Sequence, residues 1–340
     1  MVVSKRKSRN FGLDLVKVLA CILVICLHSL TPTSLVVKDN IFNSSVYYSG
    51  TIAIPIFFMA SSYFVLNKKD ISFYYVLRRV VDIFFIIVGW VLVYSICQLI
   101  VKHRFIFLEE LKGTAFITTS SNQFYHFWFF WALIFMLIIS PLLWYILHNN
   151  FKRYLFLTFI LTLICVGVDI SLHLDNSINI QNIPQVFRIY LYIEYYLLGG
   201  LIGNLRFIRI KEYVKEHIMI ISFSAIFLYF IVIIYSIWNR NVIHWDYAEA
   251  NYGNILVIFT SVLILIIFSV LNPKNKKLIE FIIPATMGIY MIHPFFINKL
   301  MKIHFFYEYP VFMVPILFVL CLIIVEIALR IPVIKRFFKL

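Results

Sequence analysis

Charge is scarce in this sequence. Only 14% of the 340 residues are Asp, Glu, Lys or Arg, whereas 62% are hydrophobic and the mean hydropathy is +0.93. A soluble globular domain carries roughly 25% charged residues, so this balance excludes an ordinary water-soluble fold and makes lipid the solvent. Strict polar-apolar alternation is also missing, which excludes the strands of a membrane barrel. The five cysteines (Cys21, Cys26, Cys97, Cys165 and Cys321) all fall inside apolar runs and form no CxxC pair. Neither a metal site nor a disulfide framework is therefore indicated, and packing is the reading for all five. Acidic residues are few as well, 16 against 30 Lys and Arg, giving a formal charge of +14. A nucleic-acid reader would gather those cations on one face of a soluble module; here they sit in short clusters between apolar runs, so no nucleic acid is expected and membrane lipid is the incidental partner.

What the sequence does contain is apolar runs of about 20 residues, the length a helix needs to cross a bilayer. They predict an all-α, polytopic transmembrane bundle of about ten helices, near 11–30, 46–66, 78–101, 124–147, 153–170, 186–204, 217–238, 253–271, 284–301 and 309–331. The basic start at residues 5–9 followed by an apolar run resembles a signal peptide. No small-residue cleavage site ends that run, and it reads as a retained first helix. Clusters such as Lys5-Arg6-Lys7, Lys68-Lys69, Arg78-Arg79, Lys152-Arg153 and Lys276-Lys277 fall on the side of the first residue, and Lys38, Lys102, Arg188 and Arg240 on the other. By the positive-inside rule both termini are cytoplasmic. No loop is long enough for a separate soluble domain, so a single integral-membrane domain over 1–340 is expected, and any chemistry must come from groups in or beside the membrane.

Ionisable residues inside a bilayer are costly and mark candidate sites. The first helix holds Asp14, Lys17 and His28. Lys17 and His28 are eleven residues apart, within about 20° of three full turns, and Asp14 falls on the same face. Asp14 and Lys17, three residues apart, can neutralise each other. His28 lies at the outer end of this polar track, and an imidazole titrates close enough to neutrality to take a proton from an attacking hydroxyl. The competing reading is a structural histidine bonded to a neighbouring helix.

Further along, Pro55 predicts a kink in the second helix, and Ser61-Ser62 offer hydroxyls or close packing. Arg78 and Arg79 obey the positive-inside rule and also suit a phosphorylated ligand arriving from the cytosol. His126 enters the membrane from the same side as His28. Trp128 beside it is either an interfacial anchor or a stacking surface for a sugar. Glu194 lies mid-span and needs a partner such as Arg188 or a Lys17-type cation, while Gly199, Gly200 and Gly203 mark close helix approach. In Tyr290-Met291-Ile292-His293-Pro294, the proline frees backbone carbonyls that His293 could bond, if it does not serve a site. Asp169, Glu280 and Glu326 sit near span ends and read as structural.

Taken together these segments resemble the acyltransferase 3 family over nearly the whole chain. Leu13-Asp14-Leu15-Val16-Lys17 followed by His28 resembles the first-helix motif, in which Arg or Lys is separated by ten residues from a catalytic His. Pro55-Ile56-Phe57-Phe58 with Ser61-Ser62-Tyr63 resembles a second motif, with Ser62 where glycine is usual. Arg78-Arg79 resembles the third-helix arginine region, with Asp82 where a second spaced arginine is usual. The segment 124–130 through Ser140-Pro141-Leu142, and Gly288-Ile289-Tyr290 with His293, extend the likeness. The resemblance implies a bacterial inner-membrane O-acetyltransferase that moves an acetyl group from cytosolic acetyl-CoA to a hydroxyl of a cell-surface polysaccharide or its lipid-linked precursor, without a metal. It implies that His28, Lys17 and Asp14 form the catalytic track, and that Arg78, Arg79, His126, Trp128, Glu194 and His293 bind substrates. Two other functions fit a bundle with intramembrane charges: a polysaccharide exporter or flippase, and a membrane module serving another enzyme, such as the transport half of a serine racemase. The lack of a hydrolase-like or other soluble domain favours the short, stand-alone form.

Overall fold

The structure is a computed structural model that describes residues 9–115, 123–174 and 180–338, and those residues are helical throughout, with turns and loops between. Lys5, Arg6 and Lys7, which contribute to the charge pattern, lie outside the described residues. Helix α1 (Phe11–Ser29) begins where the Asn10 side chain accepts a hydrogen bond from the Leu13 amide at 3.0 Å, satisfying one of the free donors of a first turn. After α2 (Leu35–Lys38), α3 (Ile41–Ser49) runs through a 3-10 turn at Gly50–Ile52 into α4 (Ala53–Val65), so the kink expected from Pro55 is a change of helix type just before it. Next come α5 (Phe73–Lys102) and α6 (Phe107–Thr114), then a 3-10 turn at Tyr125–Phe127 that opens α7 (Trp128–Asn149). The second half follows as α8 (Phe151–Leu174), α9 (Ile189–Gly203), α10 (Ile208–Glu216), α11 (Ile218–Ile243), α12 (Ile255–Val270) and α13 (Lys276–Ile282). It continues with α14 (Thr286–Leu300), α15 (His304–Glu308), α16 (Met313–Arg330) and α17 (Pro332–Lys335).

Each of the ten apolar runs coincides with a helical segment. Eight of these are long and apolar enough to cross a membrane. The other two, α9 and α12, have 15 and 16 residues, which at 1.5 Å per residue reach about 23 Å, short of a hydrocarbon core of about 30 Å. Their middles pack against neighbouring helices: Tyr192, Glu194, Tyr195 and Tyr196 of α9 are all buried, as are Thr260, Ser261 and Leu265 of α12, while Ile255 and Phe259 at the start of α12 are exposed.

The bundle has a packed centre and a lipid-facing rim. In α1 and the α3–α4 rod 61% and 72% of the apolar window is buried inside the protein, against 28%, 22% and 17% in α5, α8 and α11. The rim helices turn phenylalanines such as Phe84, Phe85, Phe156, Phe159, Phe223 and Phe227 outward, which only a hydrocarbon solvent makes favourable. At the centre, backbones approach closely. A Cβ on Gly199 would lie 2.1 Å from the Met59 carbonyl oxygen of α4, and one on Gly12 1.9 Å from that of Phe268. Glycine at these positions lets α9 seat on α4 and lets the start of α1 seat on α12, placing α1 in the middle of the fold.

Candidate active site

His28 occupies the last turn of α1, and two other elements bring three polar side chains to it. Tyr125, in the 3-10 turn before α7, places its hydroxyl 2.7 Å from His28 Nδ1. The His293 ring of α14 lies 5.1 Å from the His28 ring and the His126 ring 6.3 Å from it, with 5.9 Å between His126 and His293. Residues 97, 98 and 265 positions from His28 in the chain thus converge on it.

Backbone carbonyls set the tautomers of two of the three rings. A carbonyl can only accept, so His126 Nε2 donates to the Met291 oxygen at 3.1 Å, and His293 Nδ1 donates to the Ile289 oxygen at 3.0 Å. Pro294, beside His293, has no N–H to offer the Tyr290 carbonyl four residues before it. Tyr290 ties the two elements from the other direction by donating its hydroxyl to the His126 carbonyl. The opposite nitrogens, His126 Nδ1 and His293 Nε2, are then bare lone pairs. Both are buried without a partner among the described residues. Buried acceptors left unmatched are unfavourable, and an incoming hydroxyl would satisfy one by donating to it. Among the described residues no group of three His, Cys, Asp or Glu side chains is disposed to hold a metal ion.

Tyr290 also belongs to the wall of a cavity of about 340 Å³ lined mainly by Phe57, Val65, Ile83, Phe129, Leu133 and Met287, with Lys17 and Arg79 as its cations. Tyr75 and Arg79 are shared between that cavity and an open groove of about 530 Å³, which Arg78, Asp82, Lys335 and Arg336 also border. The basic groove and the apolar cavity thus adjoin at Tyr75 and Arg79, and Tyr290 belongs both to the cavity wall and to the surroundings of the histidine cluster.

The first-helix track is rearranged from its expected form. Asp14 does not pair with Lys17: Arg9 Nε reaches back to the Asp14 carboxylate at 2.5 Å, while the longer Lys17 side chain runs to α4 and lies 4.5 Å from the centre of the Phe64 ring. Lys17 faces the cavity and Asp14 anchors the start of the helix. Glu194 is not paired with Arg188 either. Arg188 takes Glu249 at 3.4 Å and the Ile183 carbonyl and lies over Trp245. Glu194 accepts from Thr162 Oγ1 at 2.5 Å, between α8 and α9 and outside both the cavity and the histidine cluster. Trp128 is buried, stacked on Tyr192, which stacks on Phe58. The structure thus gathers His28, His126 and His293, sets Lys17 and Arg79 on the cavity and Arg78 on the groove, and leaves Asp14, Trp128 and Glu194 away from the cluster. Sequence reasoning missed Tyr125 as the partner of His28 and the share that Lys335 and Arg336 take in the groove. Tyr125 has the composition of an interfacial aromatic, and the two cations have that of a positive-inside flank, so neither carries a local signal of its role.

The matched lysine and histidine of α1 and the convergent site both lie within a single recognised module, since the family model described as an acyltransferase domain matches residues 10–330. The chain belongs to the acyltransferase 3 family. Among curated proteins it resembles an amino-acid racemase of Enterococcus faecalis, 22% identical over 303 residues, covering 85% of this chain and 41% of that protein. The chain thus spans about two fifths of the length of that relative. No solved structure matches it.

Proposed function

We propose that this multi-pass membrane acyltransferase moves an acetyl group from acetyl-CoA to a hydroxyl of a cell-surface polysaccharide or its lipid-linked precursor. Family membership supports acyl transfer. The observation that carries the finer reading is the placement of His28: held by Tyr125 and flanked by two acceptor nitrogens, with Tyr290 shared between the histidine cluster and an apolar cavity that adjoins a basic groove. In this reading the charged nucleotide stays at the basic groove, on the cytosolic side, and its thioester arm enters the cavity past Lys17. The acceptor hydroxyl docks at the histidines and gives its proton to an imidazole as its oxygen attacks the thioester carbonyl. The C–O bond forms, the C–S bond breaks, and the thiolate leaves to be protonated. His28 is the base, Tyr125 its positioning residue, and His126 and His293 the acceptor-binding groups.

A second reading, a membrane module that handles amino acids, rests on the name of the relative, and a polysaccharide exporter is a third, which a bundle with intramembrane charges also fits. Mass spectrometry of surface glycans from cells carrying the intact gene, a deletion, or His28→Ala separates them. Loss of acetyl groups in both mutants with glycan amount unchanged is the expected result. Missing surface glycan with unaltered acetylation would turn the assignment to export, and no change in either would turn it to amino acids.

A further inference from the structure

The chain does not leave the bundle after α16. Pro332 starts α17, and residues 336–338 turn inward between α5 and α14. Trp90 Nε1 donates to the Phe337 carbonyl at 2.9 Å, and the Trp90 and Phe338 rings meet edge to face at 5.1 Å. Glycines on two helices make room for this segment. A Cβ on Gly89 would lie 2.4 Å from the Phe337 ring, and one on Gly288 2.7 Å from the Phe338 ring. Phe338 is buried and lines the cavity, whereas Lys335 and Arg336 are exposed at the groove beside it.

The groove is unbalanced in charge. Among the described residues, Arg78, Arg79, Lys335 and Arg336 border it with Asp82 as the one carboxylate, and none of the four cations is held in an ion pair. Guanidinium and ammonium groups converging on one concave surface raise the local concentration of phosphate-bearing anions and bind them by charge-assisted hydrogen bonds.

We propose that residues 331–338 form the second wall of the donor site: Lys335 and Arg336 join Arg78 and Arg79 in holding the phosphates of a nucleotide-bearing acyl donor, and Phe338 walls the cavity that takes its acyl arm. This rests on the acyl-transfer reading above. It adds residues from the far end of the fold to a site whose other cations come from α5. A phosphate headgroup of an anionic lipid shares the same chemistry. The donor is favoured because the groove adjoins, at Tyr75 and Arg79, a cavity whose wall includes Tyr290 beside the histidines, where a molecule with a reactive end has a use.

The test is calorimetric binding of CoA, and of 3′,5′-ADP, which keeps two of the three phosphates of CoA and lacks the arm, to the full-length protein in nanodiscs of neutral phosphatidylcholine. Lys335→Ala/Arg336→Ala should weaken both ligands about tenfold, equivalent to about 1.4 kcal/mol, with the loss shrinking as salt rises. Lys152→Ala/Arg153→Ala, which removes two exposed cations from the start of α8, should bind as the wild type does. Phe338→Ala should weaken CoA but not 3′,5′-ADP. Undiminished CoA affinity in the Lys335/Arg336 variant overturns the proposal. If that variant instead loses only co-purified phosphatidylglycerol, the groove is a lipid site. Failure of the wild type to bind CoA at all would sink the acyl-transfer reading, and this inference with it.

Discussion

Removing one oxygen atom from Tyr125 separates the positioning of His28 from the chemistry assigned to it. Tyr125 Oη lies 2.7 Å from His28 Nδ1, and the two rings meet at 64° with 5.4 Å between centroids. Phenylalanine keeps the ring and its packing and loses only the hydrogen bond. Such a bond between neutral groups is worth about 0.5–1.5 kcal/mol net. At about 1.4 kcal/mol per tenfold in rate, Tyr125→Phe should lower acetyl transfer about two- to twelvefold. His28→Ala removes the base itself and should cost about 10²- to 10⁴-fold, the usual contribution of general-base catalysis. Initial rates on purified protein, with donor and acceptor varied in turn, measure both. The loss in Tyr125→Phe should appear in kcat, because the tyrosine acts through the histidine and not on the donor. A Tyr125→Phe rate equal to that of the wild type would refute the role of the hydrogen bond in orienting His28. A rate as low as that of His28→Ala would mean that the phenol itself takes part in the reaction.

The remaining predictions concern packing, the buried acid and pH. Gly199→Ala puts a methyl group 2.1 Å from the Met59 carbonyl and 2.2 Å from Ser62 Oγ; it should lower thermal stability by about 1–3 kcal/mol, the usual cost of overpacking, and a wild-type melting curve would contradict the close α4–α9 contact. Glu194→Gln keeps the shape and the bond from Thr162, and since Glu194 lies apart from the histidines it should retain transfer within about twofold, well below the 10²-fold expected of a catalytic acid or base. Lys211 of α10 donates to Tyr63 Oη at 3.1 Å, and burial lowers its pKa to about 8. The unfolded chain then binds more protons than the folded one between about pH 8 and the ordinary lysine value near 10.4, so stability should rise with pH across that window. Lys211→Met should flatten the rise in a series of melting curves, and an unchanged slope would place its cause elsewhere.

Local chemistry is enough to specify the helices. Apolar runs and their flanking charges act within one or two turns, so all ten segments can be read from the chain, and Gly199 betrays close approach because nothing larger fits there. His28 was legible for a similar reason: a titratable ring in an apolar helix is costly wherever its neighbours lie. What such reasoning cannot reach is which partner each group finds, because that depends on contacts between residues far apart in the chain. Asp14 and Lys17 are ideally spaced to pair, yet Arg9 captures the one and Phe64 the other. Arg188 is six residues from Glu194, yet Glu249 takes it, across a separation of 61 residues. Tyr125, His126 and His293 meet His28, and Lys335 and Arg336 meet Arg78 and Arg79, only because α1 lies at the centre of the bundle and the segment after α16 folds back beneath Trp90. Composition and periodicity settled the solvent and the secondary structure, since both are properties of short segments; tertiary packing alone decided the site, since its groups come from helices at opposite ends of the sequence.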